Sequence, residues 1–298
     1  MTQGFVMETR NLTKRYGALE AVHELNLSVP GQQITGFLGR NGAGKSTTIK
    51  MLLGVVHPTA GTGSVLGKRI DNPKESLEMR QHIAYVGEDK QTYAYLTVKE
   101  MIRFMRSFYS DWRPDVEKRL IKEYELPLER KVKALSKGMR TKLALLLALA
   151  RRPALLILDE PSEGLDPVSI EALLQALAGA SADGTTVFFS SHQIAEVERI
   201  ADRVCIIDRG SVVMEVSLDQ IRQDYRRITL GFSVYPSEAD FRLEGIEHVR
   251  IDGRQITLLT RRNSDAVVER AHNLGAVSVD VVPTSLREIF LATVKGEE

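Results

Sequence analysis

Gln33-Ile34-Thr35-Gly36-Phe37-Leu38, then Gly39-Arg40-Asn41-Gly42-Ala43-Gly44-Lys45-Ser46-Thr47, then Thr48-Ile49-Lys50-Met51-Leu52-Leu53 is the stretch from which the rest of the chain can be read. The first piece has the pattern of a buried strand. The last has the apolar face of a helix. Between them two glycines stand five apart and are followed by Lys and Ser, the spacing of a phosphate-cradling loop. A strand that turns through glycines into a helix aims backbone N–H groups and the positive end of the helix dipole at one point. Gly42 and Gly44 permit φ angles that other residues resist. Lys45 is placed to reach the β- and γ-phosphates of a nucleotide, and the Ser46 hydroxyl to hold Mg²⁺.

Composition is compatible with this reading. The chain has 298 residues, 43% hydrophobic and 27% charged, with a formal net charge of +1. Those are ordinary values for a folded protein, and the length suits one large α/β domain plus a small one. A nucleic-acid partner would be expected to draw a basic excess, so none is expected. Cys205 is the single cysteine and lies in the apolar run Val204 to Ile207. That excludes an internal disulfide and a cysteine metal site, and predicts a core role in a reducing cytosol. The longest apolar block, Leu143 to Ala150, is too short to span a bilayer. The N-terminus, with Glu8 and Arg10 early, lacks the shape of a signal peptide.

Along the chain, residues 5–29 alternate and turn like antiparallel strands. Tyr16 sits among basic residues before Gly17, a platform on which a base could stack, worth roughly 1–3 kcal/mol; core packing fits it equally well. Residues 97–151 carry helical periodicity, with Thr97 and Glu100 spaced as a capping box. Met101, Phe104, Met105 and Phe108 share one helix face and are expected in the core, whereas Tyr93 and Tyr95 precede that helix and are expected to be exposed. Val204 to Asp208 and Val212 to Val216 flank Arg209-Gly210 as a hairpin. A boundary follows near 218–225. The remaining residues read β-α-β-β-α-β, the order of a ferredoxin-like unit.

Leu155 to Leu158 is a fully apolar run ending in Asp159-Glu160, and Thr185 to Ser190, with Val187-Phe188-Phe189 at its centre, is a second strand-like run, ending at Ser191-His192. These read as central parallel strands with polar residues at their carboxyl ends, where open α/β sheets bind ligands. Asp159 is the expected second anchor for Mg²⁺. Glu160 is placed to accept a proton from the attacking water, and His192 to contact the γ-phosphate.

These pieces, in this order, make residues 1–218 resemble the ATPase subunits of ABC transporters. The resemblance implies a mostly parallel α/β phosphate-loop fold with an antiparallel β edge and a helical subdomain near 97–151, followed by an accessory α+β domain at 219–298. It places the adenine on Tyr16 and the phosphates on Gly39, Asn41, Gly42, Gly44, Lys45, Ser46 and Thr47. Leu135-Ser136-Lys137-Gly138-Met139 is similar to the family signature, whose Ser136 and Gly138 would face the γ-phosphate of an ATP held by another chain. Gly164-Leu165-Asp166-Pro167 resembles the dimer-contact loop, which adds Asp166 to the nucleotide-binding set. The implied assembly is a homodimer, or a pairing with a second ATPase chain, that docks peripherally on the cytoplasmic face of a separate transmembrane permease.

Two positions depart from the family pattern. The signature usually reads Leu-Ser-Gly-Gly-Gln, and here Lys137 and Met139 replace its third and last residues. Where the family places a glutamine after the strand at 83–87, Glu88 and Asp89 stand instead. Glu88 is taken as the equivalent, a carboxylate ligand for Mg²⁺ that accepts but does not donate hydrogen bonds. Both departures, and the C-terminal run Pro283 to Phe290, resemble a branch of bacterial exporters. The alternatives are a soluble ATP-dependent switch and a non-catalytic nucleotide-binding module. Against the first, no heptad is sustained between Lys45 and Asp159; against the second, Glu160 and His192 are present.

Overall fold

The computed structural model describes residues 4–88, 93–234, 237–241 and 243–295. Asp89 lies outside them. By contacts the chain divides into two compact units, Met1–Val213 and Met214–Glu298, a few residues ahead of the boundary expected near 218.

The first unit opens with β1 (Phe5–Tyr16) and β2 (Leu19–Pro30), followed by the wholly buried β3 (Ile34–Leu38) and α1 (Lys45–Leu52). Next come β4 (Ala60–Val65), β5 (Lys68–Arg69), α2 (Pro73–Gln81) and β6 (Ile83–Val86). The helical part holds α3 (Val98–Arg106), α4 (Pro114–Glu123) and α5 (Lys137–Leu149). The unit finishes with β7 (Leu155–Leu158), α6 (Pro167–Ala182), β8 (Thr186–Ser191), α7 (Ile194–Ile200) and β9 (Arg203–Asp208). β10 (Ser211–Ser217) crosses the boundary.

Local chemistry accounts for many of these bounds. The Thr97 hydroxyl accepts the Glu100 N–H while the Glu100 carboxylate accepts the Thr97 N–H, so α3 starts on the expected capping box. Asn72, Ser136 and Asp166 cap α2, α5 and α6 with side-chain oxygens. Arg209 and Gly210 both have positive φ, 45° and 85°, the geometry of a tight hairpin between β9 and β10.

Two sheets result. One is antiparallel in the order β2-β1-β4-β5; the other runs β10-β9-β3-β8-β7-β6. In the second, β9, β3, β8, β7 and β6 pair in parallel. Five strands therefore end on one edge, and the loops after β3, β6, β7 and β8 meet there. Those loops carry Lys45, Glu88, Asp159 with Glu160, and His192. Phe37 and Phe188 pack at 5.3 Å across neighbouring strands, and Cys205 is fully buried beside them in the same core.

The expectation for the face of α3 needs correction. Met101 is buried, but Phe104 is 37% and Phe108 64% exposed. The helix ends at Arg106, so Phe108 leaves the helical stripe. Instead Tyr93, Phe104 and Phe108 stack edge to face at 5.1 and 5.0 Å, and Tyr95 meets Tyr93 at 6.0 Å. All four rings form one exposed strip.

The second unit contains α8 (Leu218–Asp224), β11 (Tyr225–Phe232), β12 (Ile246–Asp252), β13 (Gln255–Arg261), α9 (Ser264–Asn273), β14 (Ala276–Pro283) and α10 (Leu286–Lys295). Its sheet runs β12-β13-β11-β14 with every neighbour antiparallel, the strand order of a split βαβ arrangement. The first crossover holds a short 3₁₀ turn, Glu238–Phe241, where the β-α-β-β-α-β order expects the first helix. Ile228, Leu230, Ile256 and Leu258 pack under Val267 and Ala271 of α9.

Candidate functional site

The phosphate loop is shaped by steric need. Gly44 caps α1 with φ 102°, and a Cβ there would lie 2.5 Å from the Ala21 carbonyl oxygen. Gly42 has φ 83° but open space around it. A Cβ on Gly39 would come within 2.6 Å of the Ile207 carbonyl oxygen. Thus Gly39 is required for close packing, Gly42 for its backbone angle and Gly44 for both.

Lys45 is only 6% exposed. Its ammonium donates to the carbonyls of Gly39 at 2.7 Å and Arg40 at 3.2 Å. It also lies 3.0 Å from Glu160 Oε1, a charge contact without hydrogen-bond alignment. Glu160 is 8% exposed, and its other oxygen, Oε2, is 2.9 Å from His192 Nδ1. The three expected catalytic residues thus form one chain, Lys45–Glu160–His192.

Glu160 takes φ 46°, a left-handed conformation costly for a non-glycine residue. The turn is held from below. The Glu160 N–H donates to Ser190 Oγ at 2.9 Å, and that hydroxyl donates to Asp159 Oδ1 at 2.8 Å. Leaving β7, the two acids diverge. Glu160 faces the phosphate loop, and Asp159 faces a second cleft.

The first cleft, about 520 Å³, is walled by the loop residues Asn41, Gly42, Gly44, Lys45, Ser46 and Thr47. Its far side carries Tyr16, Glu88, Glu160 and His192, with Leu19, Ala21 and Glu163 completing it. Tyr16 is 48% exposed at the end of β1, with Lys14 Nζ 5.0 Å from its ring centre. The second cleft, about 490 Å³, shares Ser46 and Glu88 with the first and adds Asp159, Lys50, Tyr85 and Arg151. Its floor includes Met101 and Met105 of α3. The three expected metal ligands, Ser46, Glu88 and Asp159, therefore all line this second cleft.

Ser136, Gly138 and Asp166 are not among the residues lining the loop cleft. In this chain Ser136 Oγ accepts the Met139 N–H at 3.2 Å. Asp166 accepts the Ser169 N–H and hydroxyl at 3.0 and 2.6 Å. A Cβ on Gly138 would lie 2.4 Å from Ser169 Oγ, and one on Gly164 2.5 Å from Lys137 Nζ. The N-terminal turns of α5 and α6 thus pack against each other.

Several residues escaped sequence reading. Glu163 Oε2 lies 3.9 Å from His192 Nε2, so the imidazole stands between two carboxylates. Its place in the turn between Glu160 and Asp166 was the available signal. Glu196 is 5% exposed and accepts from Ser162 Oγ at 2.7 Å and Ser191 Oγ at 3.2 Å. Burial pushes its carboxyl above the usual range, the two hydroxyls pull it back, and Glu160 raises it further.

A phosphate loop at the carboxyl edge of a parallel sheet, with an acid pair and a histidine on the neighbouring strand ends, defines a phosphate-loop nucleotide hydrolase. Residues 22–163 match the family model described as ABC transporter. The chain is 36% identical to the bacitracin transport ATP-binding protein BcrA of Enterococcus faecalis, over 77% of this chain and 75% of that one. It is 36% identical to the Nod factor export ATP-binding protein I of Burkholderia orbicola, over 70% of each. Among solved structures, an ATP-binding subunit of an ABC transporter superposes with a TM-score of 0.65 at 33% identity, over 73% of this chain and 92% of that one. The chain belongs to the ABC transporter ATP-binding family and is an ATPase of that family. Among the described residues no helix is long and apolar enough to cross a membrane.

Proposed function

We propose that this chain is the motor of an exporter: a peripheral ATPase on the cytoplasmic face of a membrane that dimerises around ATP and drives a separate permease. The observation that carries this reading is the Lys45–Glu160–His192 chain inside the phosphate-loop cleft. Glu160 takes the proton of the attacking water on its carboxylate. His192, bonded to that carboxylate, fixes its orientation and faces the γ-phosphate. Lys45 turns from the loop carbonyls to the phosphates when ATP enters. Tyr16 stacks on the adenine.

Ser46, Glu88 and Asp159 offer a hydroxyl and two carboxylates, the oxygen donors that suit a hard divalent cation. Bound there, Mg²⁺ would offset phosphate charge. Ser136, Gly138 and Asp166 lie outside the chain's own loop cleft, which supports their serving ATP held by a second copy or a paired ATPase chain. The second cleft, with its methionine floor and the adjacent aromatic strip of Tyr93, Tyr95, Phe104 and Phe108, is the surface offered to the permease. Ser46 and Glu88 border both clefts, so movement at one is felt at the other. Export rather than import rests on the relatives' printed roles and on the exporter-like departures at Lys137 and Glu88. The C-terminal unit is an accessory domain.

The test is ATPase activity at rising protein concentration, beside Glu160→Gln. A specific rate that climbs with concentration, and a variant that traps an ATP-bound dimer, support the homodimeric motor. A rate near zero at every concentration, with ATP bound, removes the homodimer and leaves the paired-chain form.

A further inference from the structure

Glu196 is a buried acid that the proposed chemistry leaves unused. It lies on α7 and is 5% exposed. Its Oε2 accepts the Ser162 hydroxyl at 2.7 Å and the Ser191 hydroxyl at 3.2 Å. Its Oε1 is buried without a hydrogen bond. A carboxylate held this way, with one oxygen unpaired, costs more to bury than an apolar side chain of the same size. The fold alone therefore gives no reason for an acid here, and what the acid holds does.

The two serines belong to the two strand ends that carry the site. Ser162 lies in the turn after β7, just beyond Glu160, and Ser191 ends β8 beside His192. Both are buried. Ser191 Oγ also accepts the Gln193 N–H at 2.9 Å, which fixes the backbone on the far side of His192. The same strand ends are joined once more ahead of the acid, where Ser190 Oγ accepts the Glu160 N–H and donates to Asp159. Glu160 thus stands between two ties, Ser190 before it and Glu196 after it. Its φ of 46° is a strained conformation, which persists only where the surroundings over-determine it. The first tie fixes the start of the turn. The second fixes its course, and with it the 2.9 Å approach of Glu160 Oε2 to His192 Nδ1.

We propose that Glu196 is a positioning residue for ATP hydrolysis, clamping the Glu160 turn to the His192 end of β8 so that the base and the histidine keep one geometry. It does not line the loop cleft and acts through Ser162 and Ser191. Its part in hydrolysis rests on Glu160 being the base, as proposed above; the clamp rests on the three side chains alone.

The test compares Glu196→Gln, Glu196→Leu and the triple variant Ser162→Ala/Ser191→Ala/Glu196→Leu in the full chain, beside wild type and Glu160→Gln. Removing all three polar side chains together leaves no hydroxyl stranded, so the triple variant should keep a thermal midpoint near wild type. Glu196→Gln keeps an acceptor for both serines and should retain most of kcat. Glu196→Leu and the triple variant should lower kcat about tenfold or more, as a misplaced catalytic group does. KM for ATP should stay unchanged, because the phosphate loop and Tyr16 are untouched. A merely structural role would move the thermal midpoint and not kcat per folded chain. A folded triple variant with wild-type kcat, or a KM that rises as far as kcat falls, overturns the proposal. Glu160→Gln at the wild-type rate instead removes the base reading, and the clamp's part in hydrolysis with it. Amide hydrogen exchange of the ATP-free chain decides the clamp without turnover. The Glu163 and Leu165 amides bond within the acid's turn, and the Gln193 amide bonds to Ser191. Glu196→Leu should speed exchange at both places together. Faster exchange at one place only, or at neither, overturns the clamp.

Discussion

The Lys45 ammonium lies 3.0 Å from Glu160 Oε1, with side-chain exposures of only 6% and 11%. The phosphate loop and the acid beyond β7 thus meet as a buried ion pair. Removing one partner of such a pair leaves the other charge uncompensated, typically about 3 kcal/mol or more of lost stability. Here His192 still contacts Glu160 and softens the loss. Lys45→Met is expected to lower the unfolding free energy by about 2 kcal/mol as well as to abolish ATPase activity. Denaturant unfolding checks it, and an unchanged midpoint would show that the pair contributes nothing to the fold.

The two left-handed glycines of the loop separate backbone strain from crowding. Gly42→Ala meets no neighbour within 4 Å and costs only the left-handed conformation, about 1 kcal/mol. Gly44→Ala adds a Cβ 2.5 Å from the Ala21 carbonyl oxygen, so the loop or β2 must shift, at about 2–4 kcal/mol. Thermal unfolding should rank Gly44→Ala well below Gly42→Ala. Equal midpoints would mean that β2 yields freely at Ala21.

Glu196 gives the first unit a pH dependence of known sign. Its carboxyl is raised mainly by burial, against the pull of the Ser162 and Ser191 hydroxyls. The folded chain therefore holds this proton to higher pH than the unfolded chain. Across the window from the ordinary carboxylate range up to the raised value, the folded state binds more protons, and stability falls as pH rises. Glu196→Gln should remove that downward slope while keeping an acceptor for the two serines. Unfolding curves at stepped pH above about 4 would show it; parallel profiles for the two proteins would end the argument.

How far the sequence could be read depended on whether a signal was local. The loop from Gly39 to Thr47, the strand ending at Asp159-Glu160 and the Ser191-His192 end of β8 each announce themselves within a few residues. Parallel pairing then brings them together on one edge. Tertiary contacts were not legible in that way. Nothing in the pattern says that Ser190 ties Asp159 to Glu160, or that Gly39 is held for its packing against Ile207. The periodicity at Phe104 and Phe108 counted apolar residues correctly but could not show where α3 stops. In the second unit the alternation revealed the strands, while the described part of the first crossover holds a 3₁₀ turn in place of the expected helix.

Glu88 stands where the family places a glutamine, and it borders both clefts. Under the proposed function a carboxylate there would add negative charge near the phosphates, and it is expected to slow turnover in exchange for a tighter hold on a divalent cation. Glu88→Gln is expected to raise the ATPase rate several-fold and to increase the Mg²⁺ concentration needed for half-maximal activity, a modest electrostatic effect of about 1 kcal/mol. Steady-state rates across a Mg²⁺ titration test it, and a variant with unchanged rate and unchanged Mg²⁺ dependence rules it out.

Gly138 packs the first turn of α5 against the first turn of α6, which follows the Glu160 turn. A Cβ there would stand 2.4 Å from Ser169 Oγ and 3.2 Å from Ser169 Cβ. Ser169 in turn donates to Asp166 at the start of α6. Gly138→Ala should therefore push the first turns of α5 and α6 apart, at about 1–3 kcal/mol. Ser169→Gly removes both obstructing atoms while forfeiting the side-chain bond to Asp166, about 1 kcal/mol by itself. If the clash is the cause, the double variant is more stable than the sum of the single effects predicts, by about 1 kcal/mol or more. ATPase activity should recover along with it, because the same contact sets the distance between the signature turn and the Asp166 loop. Strictly additive unfolding energies would show that the two helix starts move independently.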